Sequence, residues 1–587
     1  MSEPSLLSEL RFRIEAHLAY LYPEADTHLL ADQIIEIMDF TNQCHEATQF
    51  QNHWDQSDIA VITYGNTVKT PGEVPLKTLS NFLHNYLAEL ISIVHILPFY
   101  PFSSDDGFSV VDYSAVNTEL GTWENIQALT DKFKIMADLV INHCSAESEW
   151  FKNFLGDKSP GRDYFVTARP SEDIAAVVRP RTSPLLNEVD TPSGKKHVWC
   201  TFSPDQVDLN FKNPDVLLEF VRIIALYLRR GVEVFRLDAI AFLWKIIGSD
   251  CLNLPQTHEV VRLLRTLVEH SKPGALLITE TNIPNQENLS YFGNANEAHV
   301  IYNFSLPPLL VNTLITGDCH YLRTWMMSNP PARNGTTYLN FIASHDGLGL
   351  RPAEGLLSTE EIQTLADTLA EFGGRISRRA LNHGTDISRP YEINISLYDA
   401  LKGTTQGPDQ YNHIRFICAH AIMLALEGIP AFYFHSLFAT HNDEKRLAKT
   451  GQNRSINRHR WELAALEEAL NNGSEHQRAF EALSHLILIR KNNPAFHPNA
   501  TQFTLHMPTS GHLNHIFAFW RQSMDREQSI FCINNVTNAP QSISLADLNL
   551  VILDEWQDLL SGERYNDHKA CVELAPYQSL WLSNKVY

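Results

Sequence analysis

The stretch VEVFRLD, residues 232–238, decides the fold. Val232, Val234, Phe235 and Leu237 form a short run of apolar residues that reads as a strand buried on both faces. Such a strand should finish on an apolar residue or a turn. This one finishes on Arg236 and Asp238, two residues apart and therefore on the same face.

Similar runs stand at residues 60–64, 92–97, 134–141, 276–280, 300–304, 338–342 and 430–434, with helix-length amphipathic segments between them. Eight strands in that spacing predict an α/β fold, a closed (β/α)8 TIM barrel over residues 58–495. An open doubly wound sheet is the alternative. No G-x-G-x-x-G and no phosphate-binding loop follows the first run, which weighs against it.

The flanks read differently. Leu6, Leu7, Leu10, Ile14, Leu18 and Leu21 repeat at helical period, and a second helix is expected near residues 31–40, giving an N-terminal helical extension over 1–57. Intervals 145–212 and 347–402 are too long for simple βα loops. They are expected as inserted loop domains above the carboxyl ends of the strands. Beyond residue 495 short alternating strands at 502–506, 515–520, 529–533 and 578–582 predict a C-terminal antiparallel β domain over 496–587.

Composition excludes several function classes. The 587 residues are 44% hydrophobic and 19% charged, as in a globular protein. A formal net charge of -22 argues against nucleic-acid or anionic-membrane partners. The most apolar segment, 416–439, contains His420, Glu427 and the break Gly428-Ile429-Pro430, so it reads as a buried helix feeding a buried strand. The eight cysteines are scattered, without a zinc spacing, and the N-terminus lacks a secretory pattern. Both features predict a cytoplasmic protein with no metal.

The chemistry is carried by polar strand ends. The third run finishes Asp138-Leu-Val-Ile-Asn142-His143, the fifth Thr279-Glu280, and the seventh leads into Ser344-His345-Asp346. In a barrel these converge on one mouth with Arg236 and Asp238. Structural ion pairing explains any one of these residues but not all of them. Two carboxyl groups about 5–5.5 Å apart suffice for glycosyl transfer with retention, one attacking the anomeric carbon and the other moving the proton. A cation beside the first keeps it ionised. A third carboxylate can grip hydroxyls and steady positive charge.

The segments DLVINH, FRLDAI, ITE and ASHDG, in that order, resemble the four sequence regions of the α-amylase superfamily. The resemblance implies Asp238 as nucleophile, Glu280 as general acid/base and Asp346 as transition-state stabiliser, with Arg236, His143 and His345 holding charge and sugar hydroxyls. A narrower resemblance, over roughly residues 60–495, is to the sucrose phosphorylase group. It implies that Asp105 holds the far glucose hydroxyls and Phe108 packs on the ring. Val198–Asp208, with Phe202 and Gln206, resembles that group's second wall. Val178-Arg179-Pro-Arg181 resembles its phosphate-binding segment, Ser455-Ile-Asn457-Arg458 its late arginine, and Pro390-Tyr391-Glu392 its acceptor loop. The implied ligands are a small α-glucoside and inorganic phosphate. No cofactor is expected, because a phosphate oxygen attacks carbon and no phosphoryl centre needs a metal. A homodimer is left open.

The acceptor positions depart from the sucrose-cleaving pattern. Asn282 stands where a histidine is usual, and Glu392 where a glutamine is usual. Together with the Asp105-Asp106-Gly107-Phe108 loop they resemble the branch that phosphorolyses glucosylglycerate and releases D-glycerate. The acceptor's carboxylate then needs a cation, with Arg181, Arg351 and Arg389 as candidates. Phosphorolysis of glucosylglycerol or sucrose is the alternative. An amylosucrase-like transglucosidase or hydrolase, or a non-catalytic transporter-associated barrel, is a more distant one.

Overall fold

Val232–Asp238 is a strand of a closed barrel, and the seven similar runs quoted with it supply the other strands. The computed structural model describes residues 5–181, 183–380, 388–508, 513–548, 550 and 555–585. Eight parallel strands form the barrel in chain order: β1 (Ala60–Thr63), β2 (Ile93–Ile96), β3 (Lys134–Val140), β4 (Val232–Asp238), β5 (Leu276–Thr279), β6 (Val300–Tyr302), β7 (Thr337–Asn340) and β8 (Ile429–Tyr433). Closure is made by β1, with Ala60 opposite Ala431 on β8 and Ile93 on β2. Nearly every residue of these strands is buried, which is why the runs are continuously apolar rather than alternating.

Local signals set the helices between them. The helix Pro214–Arg229 opens with Pro at its first position, and the Asn213 side chain accepts from the Asp215 N–H. Asn412–Ala425 is the buried helix expected before β8. Gly428, at φ +122°, makes the break: a Cβ there would meet the Tyr338 carbonyl oxygen at 2.8 Å. Among the described residues no helix is long and apolar enough to cross a membrane. All eight cysteines are free thiols.

The N-terminal helices are α1 (Leu6–Leu21) and α2 (Thr27–Ile37). The second starts before the expected residue 31 because the Asp26 side chain accepts from the Leu29 N–H and caps it there. Leu10, Ile14, Leu18 and Leu21 belong to the same hydrophobic core as the barrel. The helix Pro255–Ser271 receives α1: Arg13 donates to Thr266 at 3.3 Å, and His17 meets Glu259 at 2.6 Å. Truncating fully buried Ile14 to Ala is therefore expected to lower unfolding free energy by about 2–4 kcal/mol in urea titrations while leaving turnover at 25 °C unchanged.

Over the mouth, His143–Ser145 pairs antiparallel with Gln206–Asp208 and returns the chain from a segment carrying the hairpin Leu186–Thr191/Gly194–Trp199. A second covering sheet orders Leu348–Gly349, Ser388–Asn394 and Arg375–Ala380. The C-terminal region holds a six-stranded antiparallel sheet, Thr501–Leu505, Ile516–Gln522, Ser529–Asn535, Ser579–Ser583, Trp556–Asp558 and Arg564–Tyr565 in spatial order. Phe517 and Phe519 face the barrel core, while Ile516 and Ala518 face a separate cluster, as a period of two requires.

Candidate active site

Register brings the charged strand ends together. Arg236 lies opposite Asp138 on β3 and Ile278 on β5, and the next layer holds Asp238 and Glu280. Arg236 is fully enclosed. Its Nη1 donates to Asp138 and, at 2.7 Å, to Asp238 Oδ1, while Nη2 lies 3.8 Å from Glu280 Oε1. Asp138 is held from its other oxygen by His95 Nε2 at 2.8 Å. Ala239 adopts φ 51°, a left-handed conformation unusual for alanine, and its N–H donates to Glu280 Oε2 at 2.9 Å. Both carboxyl groups thus touch one small guanidinium. A separation of about a dozen ångströms, roughly twice what a retaining pair uses, is excluded.

Asp346 arrives from the loop after β7. Arg454 Nη1 holds its Oδ1 at 2.8 Å, with His345 at 3.4 Å and Arg458 at 3.8 Å. The three carboxylates open into a cleft of about 660 Å³. Phe108 forms one wall, stacked on the His345 ring at 5.1 Å and 3°. Phe202 forms the opposite one, packed against His143 at 5.2 Å and Phe242 at 5.5 Å. His143 Nε2 and Gln206 Nε2 both donate to the Phe108 carbonyl, at 3.0 and 3.3 Å, and so fix the first wall from below.

The Asp105-Asp106-Gly107 turn is left-handed throughout, at φ 52°, 49° and 120°. A Cβ on Gly107 would meet the Pro98 carbonyl oxygen at 2.5 Å, so glycine is required. The turn splits the aspartates. Asp105 lines the cleft, and Asp106 faces away to Arg458 at 2.8 Å. At the outer end Arg181 sits over the Tyr391 ring at 5.9 Å. Glu392 accepts two bonds from Arg454, at 3.0 and 2.8 Å, and a third from Asn394 at 2.9 Å. Asn282 lines the same end, and its buried Oδ1 has no hydrogen-bond partner within the described protein.

The match to known proteins follows this geometry. The "Alpha amylase, catalytic domain" family model matches residues 79–347. The chain is 41% identical to a glucosylglycerate phosphorylase of Allomeiothermus silvanus over 98% of its own length and 99% of that protein's. It is 38% identical to one of Escherichia coli, over 91% of this chain and 93% of that one. The chain belongs to the α-amylase family, among its glycoside phosphorylases. A solved structure of a sucrose 6F-phosphate phosphorylase from Thermoanaerobacter thermosaccharolyticum superimposes with a TM-score of 0.70 at 24% identity, covering 88% of this chain and 98% of that one, and shows the shared fold.

For this α-amylase-family chain, twelve of the residues singled out from sequence line the cleft: Asp105, Phe108, His143, Arg181, Phe202, Gln206, Asp238, Glu280, Asn282, Asp346, Tyr391 and Glu392. Arg236, His345 and Arg458 stand behind the wall and approach residues that do line it, Asp238, Phe108 and Asp346 respectively. Arg179, Arg351 and Arg389 are not on the cleft wall. Two residues were missed. Arg454 lines the cleft and holds Asp346, Glu392 and, at 3.5 Å, Asp105. The only signal for it was its place four residues before Arg458. Lys245 is buried behind the floor, 2.6 Å from both Asp208 and Asn142.

Electrostatics separate the carboxylates. Burial raises Asp238 and Glu280 together, and Arg236 pulls both back. The guanidinium is closer to Asp238 than to Glu280, 2.7 Å against 3.8 Å, and so favours an ionised Asp238 more strongly than an ionised Glu280. Burial alone would raise Asp346 as well, but the guanidinium groups of Arg454, Arg458 and Arg236 hold it far below the ordinary carboxylate range. Burial drops His345 to about 3, so its ring stays neutral against Phe108. Glu392 is also held low, because Arg454 outweighs its burial.

Proposed function

We propose that this chain is a glucosylglycerate phosphorylase acting by double displacement. Ionised Asp238 attacks the anomeric carbon, and the glycosidic bond breaks as Glu280 gives its proton to the departing glycerate oxygen. A phosphate oxygen then attacks the same carbon from the side the glycerate left. Glu280 takes the phosphate proton, Asp238 is released, and the product is α-D-glucose 1-phosphate. Two inversions at one carbon give net retention. Asp346, fixed as an anion, supports the positive charge that develops on the sugar.

The observation that carries the acceptor reading is at the outer end of the cleft. Glu392 is tied up in a bidentate pair with Arg454, whereas Arg181 has no ion pair among the described residues. An anion is therefore attracted rather than repelled there, first as the glycerate carboxylate and then as phosphate. Asn282 offers its unpartnered Oδ1 to a hydroxyl of the acceptor. The relatives named as glucosylglycerate phosphorylases, at 38 to 41% identity, support the same substrate. A glucosylglycerol phosphorylase of Marinobacter adhaerens is 31% identical over 72% of this chain. We place the protein in the cytoplasm, consistent with its eight free thiols.

The experiment is a phosphorolysis screen with glucosylglycerate, glucosylglycerol and sucrose, each with phosphate, measuring released α-glucose 1-phosphate. Glucosylglycerate is expected to react fastest, and reaction of sucrose alone defeats the acceptor reading. Arg181→Ala is expected to lower kcat/KM for glucosylglycerate by about 10- to 100-fold, the worth of one charged hydrogen bond, and to raise KM for phosphate.

A further inference from the structure

A second cavity, of about 680 Å³, lies on the far side of the Asp106–Arg458 pair from the cleft. It is bounded by the turns after β1 and β2 and by the segment after β8, and its wall is unusually cationic. Lys69, Arg446, Arg458 and Arg460 face it, against the carboxylates of Asp106 and Glu119. Asp106 is committed, to Arg458 at 2.8 Å and to Arg446 at 3.5 Å. Glu119 and Arg460 are both exposed at the cavity's rim, Lys69 is half-buried opposite Glu462, and neither Lys69 nor Arg460 has an ion pair among the described residues. Arg446 Nε and the Tyr64 hydroxyl are buried on this wall without a hydrogen-bond partner. Burial first, and then the neighbouring guanidinium groups, lower the pKa of both Lys69 and Arg460.

Unsatisfied buried polar groups such as Arg446 Nε and the Tyr64 hydroxyl are costly unless something fills the space beside them. We propose that this cavity is a second anion site, built for a small doubly charged oxyanion: inorganic phosphate or the phosphoryl group of a sugar phosphate. Guanidinium forks match such an ion in both charge and donor spacing. A chloride can accept from several donors but carries a single charge and lacks the paired oxygens that a guanidinium fork matches. The site is distinct from the glucosyl cleft, because Asp105 faces the cleft while Asp106 faces this cavity. The inference stands whether or not the acceptor of the main reaction is glycerate.

The test is equilibrium binding of inorganic phosphate to the full chain carrying Arg181→Ala, which removes the cleft's own phosphate contact. Ionic strength is held constant with chloride. The measurement is repeated with Lys69→Met/Arg460→Met and with Glu119→Gln in the same background. The double variant is expected to weaken binding by about tenfold or more, through the loss of two charged donors. Glu119→Gln is expected to tighten it by about threefold, a gain that damage to the fold cannot mimic. Melting temperature in phosphate-free buffer serves as the folding control, with Arg460→Lys as the milder variant if the double one unfolds. Repeating the titration with α-glucose 1-phosphate shows which source of the phosphoryl group binds tighter. Identical phosphate affinity in all the variants, or no binding in any of them, overturns the proposal.

Discussion

Asp238→Asn is expected to reduce turnover by about 10⁴-fold or more while the protein folds and melts as before. The amide occupies the same volume beside Arg236 but has no charge with which to attack the anomeric carbon. The loss should fall on kcat, because the cleft residues to which we assign sugar binding, Asp105, Phe108 and Asp346, keep their own supports. One side effect is built into the site. Arg236 loses one of its two close carboxylate partners and keeps Asp138. Replacing a charged acceptor by a neutral one at a buried guanidinium weakens it by about 1–2 kcal/mol. Circular dichroism and thermal melting should show at most that change. A variant with near-normal rate would remove Asp238 from the mechanism.

Glu280→Gln is expected to cost about 10²–10⁴-fold with glucosylglycerate and far less with α-glucosyl fluoride, whose leaving group needs no proton. That contrast separates a proton donor from a residue that merely shapes the cleft. The pH profile gives a second readout. Glu280 is raised by burial, so its proton is retained above the ordinary glutamic acid value and activity persists to higher pH. Activity then falls on the alkaline side as that proton leaves. On the acid side it falls as the pair takes up a second proton and Asp238 is neutralised. Because fluoride leaves without a proton, its kcat/KM should lack this alkaline limb in the unaltered chain as well as in Glu280→Gln, while the acid limb remains in both.

Much of this was legible in the letters because the barrel strands are buried on both faces. A strand so enclosed has no polar partner face, and Val, Ile, Phe and Leu run on until the chain reaches the mouth. The strand tips then stand out by contrast, and Arg236, Asp238, Glu280 and Asp346 could be paired before any geometry was known. Elements lacking that contrast were not visible. The hairpin Leu186–Thr191/Gly194–Trp199 is half exposed and polar, and Gln541–Ser544 with Cys571–Leu574 is too short and polar to read as a strand pair. Arg454 escaped for a related reason: it sits in the short 3₁₀ turn Asn453–Asn457, where no period marks a face. Its importance comes from three carboxylates delivered by distant segments, Asp105, Asp346 and Glu392. The opposite facing of Asp105 and Asp106 was equally hidden, since two consecutive aspartates rarely turn left-handed together.

The most direct measurement is to trap the intermediate. The chain is incubated with 5-fluoro-α-D-glucosyl fluoride without phosphate, quenched in acid, digested and mapped by mass spectrometry. A glucosyl adduct on the peptide containing Asp238, absent from Asp238→Asn and discharged by added phosphate, is the expected result. An adduct on any other residue, or turnover of that reagent with no covalent adduct at all, contradicts the account.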